Sequence, residues 1–179
     1  PFIDHSPADW MSYQPEDRSN TALTLAGTEI EARIESYLLG TLSGTASYRL
    51  TNTSGEPQEL YFELDSGYRV REVTANGSPV EWEDMRNDYI AAREVRCVLP
   101  AEEQITLVVE YGGMPKMWNA QEALMSSAGF ISGKGLELYG SHLAPSLPLQ
   151  LAGEETPVTL DIALRDSMTL VSSGTTRRG

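Results

Sequence analysis

"QITLVVEYGGMPKMW" occupies residues 104–118. Its first part places Ile105, Leu107, Val109 and Tyr111 at every second position. Successive side chains of a strand point to opposite faces, so this period of two describes a half-buried β-strand. The pattern stops in Gly112-Gly113-Met114-Pro115. Such a run reads either as a backbone loop that holds a substrate or as the place where a strand ends. The second reading has the simpler chemistry, because glycine frees the backbone and Pro115 brings no N–H to a further ladder bond.

The same period recurs on both sides of this segment. Ala46, Tyr48 and Leu50 alternate with other residues, as do Leu60, Phe62 and Leu64, and later Val158, Leu160, Ile162 and Leu164. Each run is expected to form a half-buried antiparallel strand. "NTSGEP" at 52–57 and "NGSP" at 76–79 supply Asn-Gly, Ser-Gly and Pro chemistry suited to hairpin turns. Asn52-Thr53-Ser54 and Asn76-Gly77-Ser78 are formal glycosylation sequons, at places where a turn selects Asn in any case. Residues 29–39 fit two templates. Ile30, Ala32, Ile34 and Leu38 suit a strand face, Ile30, Ile34, Tyr37 and Leu38 a helix, and the flanking strands favour strand. One short helix is expected in 119–129, where Asn119 can cap, Glu122 completes a capping box and Gly129 can terminate. The fold class that follows is all-β, an antiparallel β-sandwich with one short helix. Residues 1–20 show no sustained period and read as a linker or N-terminal arm, leaving 21–179 as the sandwich domain.

Composition narrows the function classes. A chain of 179 residues can bury about 70% of the surface its unfolded form exposes, so it needs neither metal nor disulfide to fold. Its formal net charge is −13, from 13 Lys and Arg against 26 Asp and Glu. Without a basic stripe the chain is not expected to bind nucleic acid. No apolar run reaches the ~20 residues of a membrane helix, so no direct membrane insertion by this segment is expected. Cys97 alternates with Val95 and Leu99 in "VRCVLP", as a small apolar core residue does. A start at Pro1 and an end in "TTRRG" suggest a piece of a longer polypeptide.

Catalytic constellations are sparse. His5 and His142 are the two histidines, and neither belongs to an H-E-x-x-H helix. "GFISGKG" at 129–135 has three residues between its first two glycines and Gly135 after Lys134, unlike a Walker phosphate loop. "GTLSG" at 40–44 carries its serine one place late for a nucleophile elbow. Glu81, Glu83 and Asp84 read as a solvated strand edge with Trp82 turned inward. No catalytic, cofactor-binding or metal-binding residue is assigned, and no cofactor is expected.

The order of the segments nevertheless resembles a known family. Tyr61–Leu64, Val70–Gly77, Tyr111–Gly113 and Val171–Gly174 follow one another as the patterned strands do in the N-terminal β-sandwich domain of the aminopeptidase N family of zinc metallopeptidases. The likeness spans most of residues 40–176. It implies a noncatalytic module that packs against a neighbouring domain, the one partner expected, in a longer chain. The family's substrate loop, Gly-x-Met-Glu-Asn, belongs to its downstream catalytic domain; Gly112-Gly113-Met114 is followed here by Pro115 and Lys116, without the glutamate that holds a substrate ammonium. The segment corresponding to the family's cleft-facing stretch, "YGSHLAPSLP", carries no acidic residue. A similar sandwich occurs in aminopeptidase-like regions attached to bacterial ABC-type transporter permeases. The diverged patterns favour that parent over a zinc metallopeptidase, with the module in an extracytoplasmic part of a membrane-tethered protein. A carbohydrate- or peptide-binding sandwich is the alternative, using Trp10, Trp82 or Trp118. For the interdomain contact the candidates are Met114, Met117, Trp118, Met125 and Phe130, from an apolar, methionine-rich stretch leaving the sheet.

Overall fold

The computed structural model describes residues 18–85, 92–115, 130–132, 136–138, 140, 143–151, 156–165 and 167–168. Among these the regular elements are twelve strands: β1 (Leu23–Ser36), β2 (Thr41–Asn52), β3 (Gln58–Asp65), β4 (Tyr68–Ala75), β5 (Ser78–Pro79), β6 (Trp82–Met85), β7 (Ala92–Leu99), β8 (Gln104–Gly113), β9 (Phe130–Ile131), β10 (Leu136–Glu137), β11 (Gln150–Leu151) and β12 (Val158–Ala163). The large sheet runs β11-β1-β2-β8-β4-β5, with β12 also on β1; the small sheet runs β3-β7-β6, and β9 pairs with β10. The result is the expected all-β sandwich. Residues 119–129, where the short helix is expected, lie outside the described residues, as do residues 1–17.

The inward faces are those set by the period of two. Ala46, Tyr48 and Leu50 of β2, Leu60, Phe62 and Leu64 of β3, and Ile105, Leu107, Val109 and Tyr111 of β8 are all buried. They meet in one core shared by both sheets, joined by Val95, Cys97 and Leu99 of β7. Burial of this apolar surface, about 25 cal/mol per Å², is what holds the layers together. The Cys97 thiol is pushed up to about 12 by that burial. In the native protein it is therefore expected to react with iodoacetamide roughly a thousandfold more slowly than in denaturant, followed by mass spectrometry. A native rate matching the denatured one would show that Cys97 is open to solvent.

Residues 29–36 are strand, as the neighbours indicate, but Leu38 is not on its face. The β1–β2 pairing is irregular between Ile34 and Ser36, which breaks the alternation, and the chain then turns over residues 37–40. Ser36 Oγ accepts a bond from Leu39 N at 3.1 Å, and Leu38 is 93% exposed.

Two further expectations are corrected. "NTSGEP" closes no hairpin, since β2 lies in the large sheet and β3 in the small one. Asn52, buried, donates to Glu56 O and Pro100 O and accepts from Ser54 N. This Asx-type turn redirects the chain into the other layer. "NGSP" does close a hairpin: Asn76 has φ 50° and links β4 to β5, while its carboxamide accepts from Thr106 N at 2.8 Å. β12 is parallel to β1, not antiparallel, with Thr28 opposite Val158 and Arg33 opposite Ala163. A return along residues 143–149 brings the chain back to the end of the sheet from which β1 starts.

Candidate functional site

The strands bring several turns to one end of the sandwich. β1 runs into it, β2 out of it, β8 into it and β4 out of it. Gly113 and the turn between β3 and β4 meet there backbone to backbone. A Cβ on Gly67 would stand 1.9 Å from Met114 O, and one on Gly113, whose φ is +152°, would stand 2.3 Å from Gly67 O. Asp65, buried, fixes this turn by accepting from Gly67 N at 2.7 Å. Gly113 is thus a strand end held against a neighbouring turn, and a Cβ on Gly112 would stand 2.9 Å from Leu42 O of β2, so close backbone packing accounts for both glycines without a ligand.

Behind this junction three tyrosines fill the core. Tyr68 and Tyr111 pack edge to face with centroids 5.6 Å apart. The Tyr111 hydroxyl donates to Leu143 O at 2.5 Å, and the Tyr48 hydroxyl donates to Pro145 O. On the other side, Ser146 exchanges two backbone bonds with Glu63 of β3, at 2.9 and 2.8 Å. Residues 143–146 thereby form a strap fastened to both sheets. Burial is the main cause that raises all three phenols above their usual range, with the Asp65 carboxylate adding to it at Tyr68. The strap belongs to "YGSHLAPSLP", and here it is a structural fastening; His142 lies outside the described residues.

The interdomain candidates are placed unequally. Met114 is 51% exposed at the end of β8. Phe130 begins β9, and Met117, Trp118 and Met125 lie outside the described residues. Sequence reading missed Leu38 and Leu39, 93% and 65% exposed at the β1–β2 turn. Their signal is a pair of leucines directly before a glycine of positive φ, Gly40 at 67°.

Two open grooves lie elsewhere. One, of about 330 Å³, runs over the outer face of the large sheet between Arg33, Arg71 and a row of carboxylates from Glu31, Glu110 and Asp161. The other, about 530 Å³, is bounded by Val80, Glu81, Trp82, Glu83, Arg96 and Val98. Trp82 is opposite Cys97 and so on the inward side, yet it is 39% exposed, because β6 is the last strand of the small sheet. Of the expected solvated edge, Glu81 and Glu83 are exposed, but Asp84 is half-buried and pairs with Arg93. Arg96 pairs with Glu59, whose carboxyl this bond lowers below its ordinary range. Among the described residues no group of three or more His, Cys, Asp or Glu is arranged to hold a metal ion.

No family model matches the sequence, and no curated protein does. Solved structures do share the fold. A mutant M1 zinc metallopeptidase of Deinococcus radiodurans bound to a Tyr-Ser-Ala substrate aligns with TM-score 0.51 and 18% identity, over 70% of this chain and 29% of that one. Native leukotriene A4 hydrolase of Saccharomyces cerevisiae aligns with TM-score 0.50 and 15% identity, over 71% of this chain and 21% of that one. The chain spans less than a third of the length of these proteins. It has the fold of a β-sandwich portion of M1 zinc metallopeptidase structures.

Proposed function

We propose that the chain is a noncatalytic β-sandwich module of a larger aminopeptidase-like protein, packed against a neighbouring domain of the same polypeptide. The observation that carries this reading is the fold shared with under a third of the length of M1 metallopeptidases. The strap adds support, since the segment corresponding to the family's cleft-facing stretch is engaged in fastening the two sheets. The diverged sequence favours a transporter-associated parent with the module outside the cytoplasm over a zinc peptidase. Trp82 beside its groove favours one alternative, a carbohydrate- or peptide-binding module.

The test is a zinc titration by calorimetry together with hydrolysis of alanyl p-nitroanilide by the purified 179-residue chain. No stoichiometric zinc and no chelator-sensitive turnover are expected; either one overturns the reading. Quenching of tryptophan fluorescence by oligosaccharides, abolished in Trp82→Ala, would favour the alternative.

A further inference from the structure

Leu38, Leu39 and Met114 are apolar side chains standing in solvent at one end of the sandwich. The turn that carries the leucines reaches Met114: a Cβ on Gly40, the residue after Leu39, would lie 3.9 Å from Met114 Cγ. A turn selects polar residues and glycine, so two consecutive leucines at its apex serve neither the turn nor the core. The chain also leaves the sheet here. β12 runs parallel to β1, and just beyond it Arg165 N donates to the Tyr37 hydroxyl at 3.1 Å, with the guanidinium 3.9 Å above the Tyr37 ring. Arg165, just past the last described strand, is therefore held at the turn that carries the exposed leucines.

We propose that the Leu38–Leu39 turn, with Met114 at its side, inserts into an apolar pocket of the domain that follows the sandwich in the same polypeptide. This rests on the module reading above and names the surface it would use. The size of the patch favours a tethered occupant over a second copy. Two leucines and a half-exposed methionine fall far short of the roughly 1,200 Å² that a specific intermolecular interface buries. Linkage within one polypeptide raises the effective concentration, to about the millimolar range for a short flexible connection, where so small a contact suffices.

The experiment is hydrogen–deuterium exchange on the 179-residue chain and on the longer product of its gene, each with and without L38S/L39S. The expected result is at least about tenfold slower exchange over residues 37–40 in the longer product, lost in the double variant. The variant's melting temperature in the 179-residue chain should match that of the parent sequence; a fall there would show that the leucines serve the sandwich and would overturn the proposal. L38M/L39M should keep the protection, and its loss in that variant would also count against an apolar pocket. Protection that appears in the longer product over another surface overturns the proposal but leaves the module reading standing. No added protection anywhere overturns both. Protection of the turn in the 179-residue chain that grows with its concentration would assign the patch to self-association instead.

Discussion

Gly67→Ala is expected to lower folding stability by at least about 3 kcal/mol, and Gly113→Ala by a similar amount. The added methyl of the first would stand 1.9 Å from Met114 O and that of the second 2.3 Å from Gly67 O. Both obstacles are backbone atoms, which cannot swing aside as a side-chain tip can. Relief requires the β3–β4 turn to part from the end of β8, and Gly113 adds the strain of φ +152°. Gly55→Ala is the control. Its φ is +71°, but nothing lies within 4 Å of the new methyl, so only the left-handed backbone is penalised, about 1 kcal/mol. Urea unfolding of the three variants distinguishes the effects. If Gly67→Ala costs no more than Gly55→Ala, the backbone junction is not a tight contact.

Alkaline solution is expected to unfold the protein through its buried tyrosines. A phenol ionises ordinarily near pH 10. Burial raises Tyr48, Tyr68 and Tyr111 above that value in the folded state, so the native protein holds protons that the unfolded chain has released. The stability tied to these groups is whole below about pH 10 and falls as pH rises toward the folded values. The slope is about 1.4 kcal/mol per pH unit for each tyrosine, roughly 4 kcal/mol for the three together. Tyrosinate absorbance should show three of the eight tyrosines ionising in one step with the loss of strand circular dichroism. A smooth titration of all eight near pH 10 with the fold intact would refute the burial of the three phenols. The hydroxyls of Tyr48 and Tyr111 also fasten residues 143–146, so ionisation releases the strap together with the core.

How far the molecule is legible in its sequence follows from which interactions are local. The inward faces of β2, β3 and β8 are legible because a strand's two faces are written at every second residue. The period of two puts Leu38 on a strand face, and the structure does not, because an irregular pairing near Ser36 shifts the phase without marking the residues themselves. The parallel direction of β12 is illegible for a related reason: alternation reports which side of a strand is buried and carries nothing about its partner. "NTSGEP" has turn chemistry, and whether a turn joins two paired strands or two layers depends on Asn52 reaching Pro100. The strap depends on single hydroxyl-to-carbonyl bonds between residues far apart in the chain, such as Tyr111 and Leu143, which leave no periodic trace. Of the interdomain candidates, Met114 is 51% exposed, while Leu38 of the nearby turn reads as part of a strand pattern and Leu39 carries no pattern at all.

The parallel pairing of β1 with β12 has a bearing on synthesis. As the chain leaves the ribosome, β1 can join β2 at once, but its other edge meets Pro157, Val158 and the residues after them only once β12 has been made. Until then the N–H and C=O groups from Thr28 to Arg33 present an open template, of the kind to which another nascent strand can add. Domains emerge at roughly 5–20 residues per second, which leaves that edge uncovered for several seconds. Glu29, Glu31, Arg33 and Glu35, exposed along this strand, put charge on one side of it throughout the wait, a common way to discourage a wrong partner.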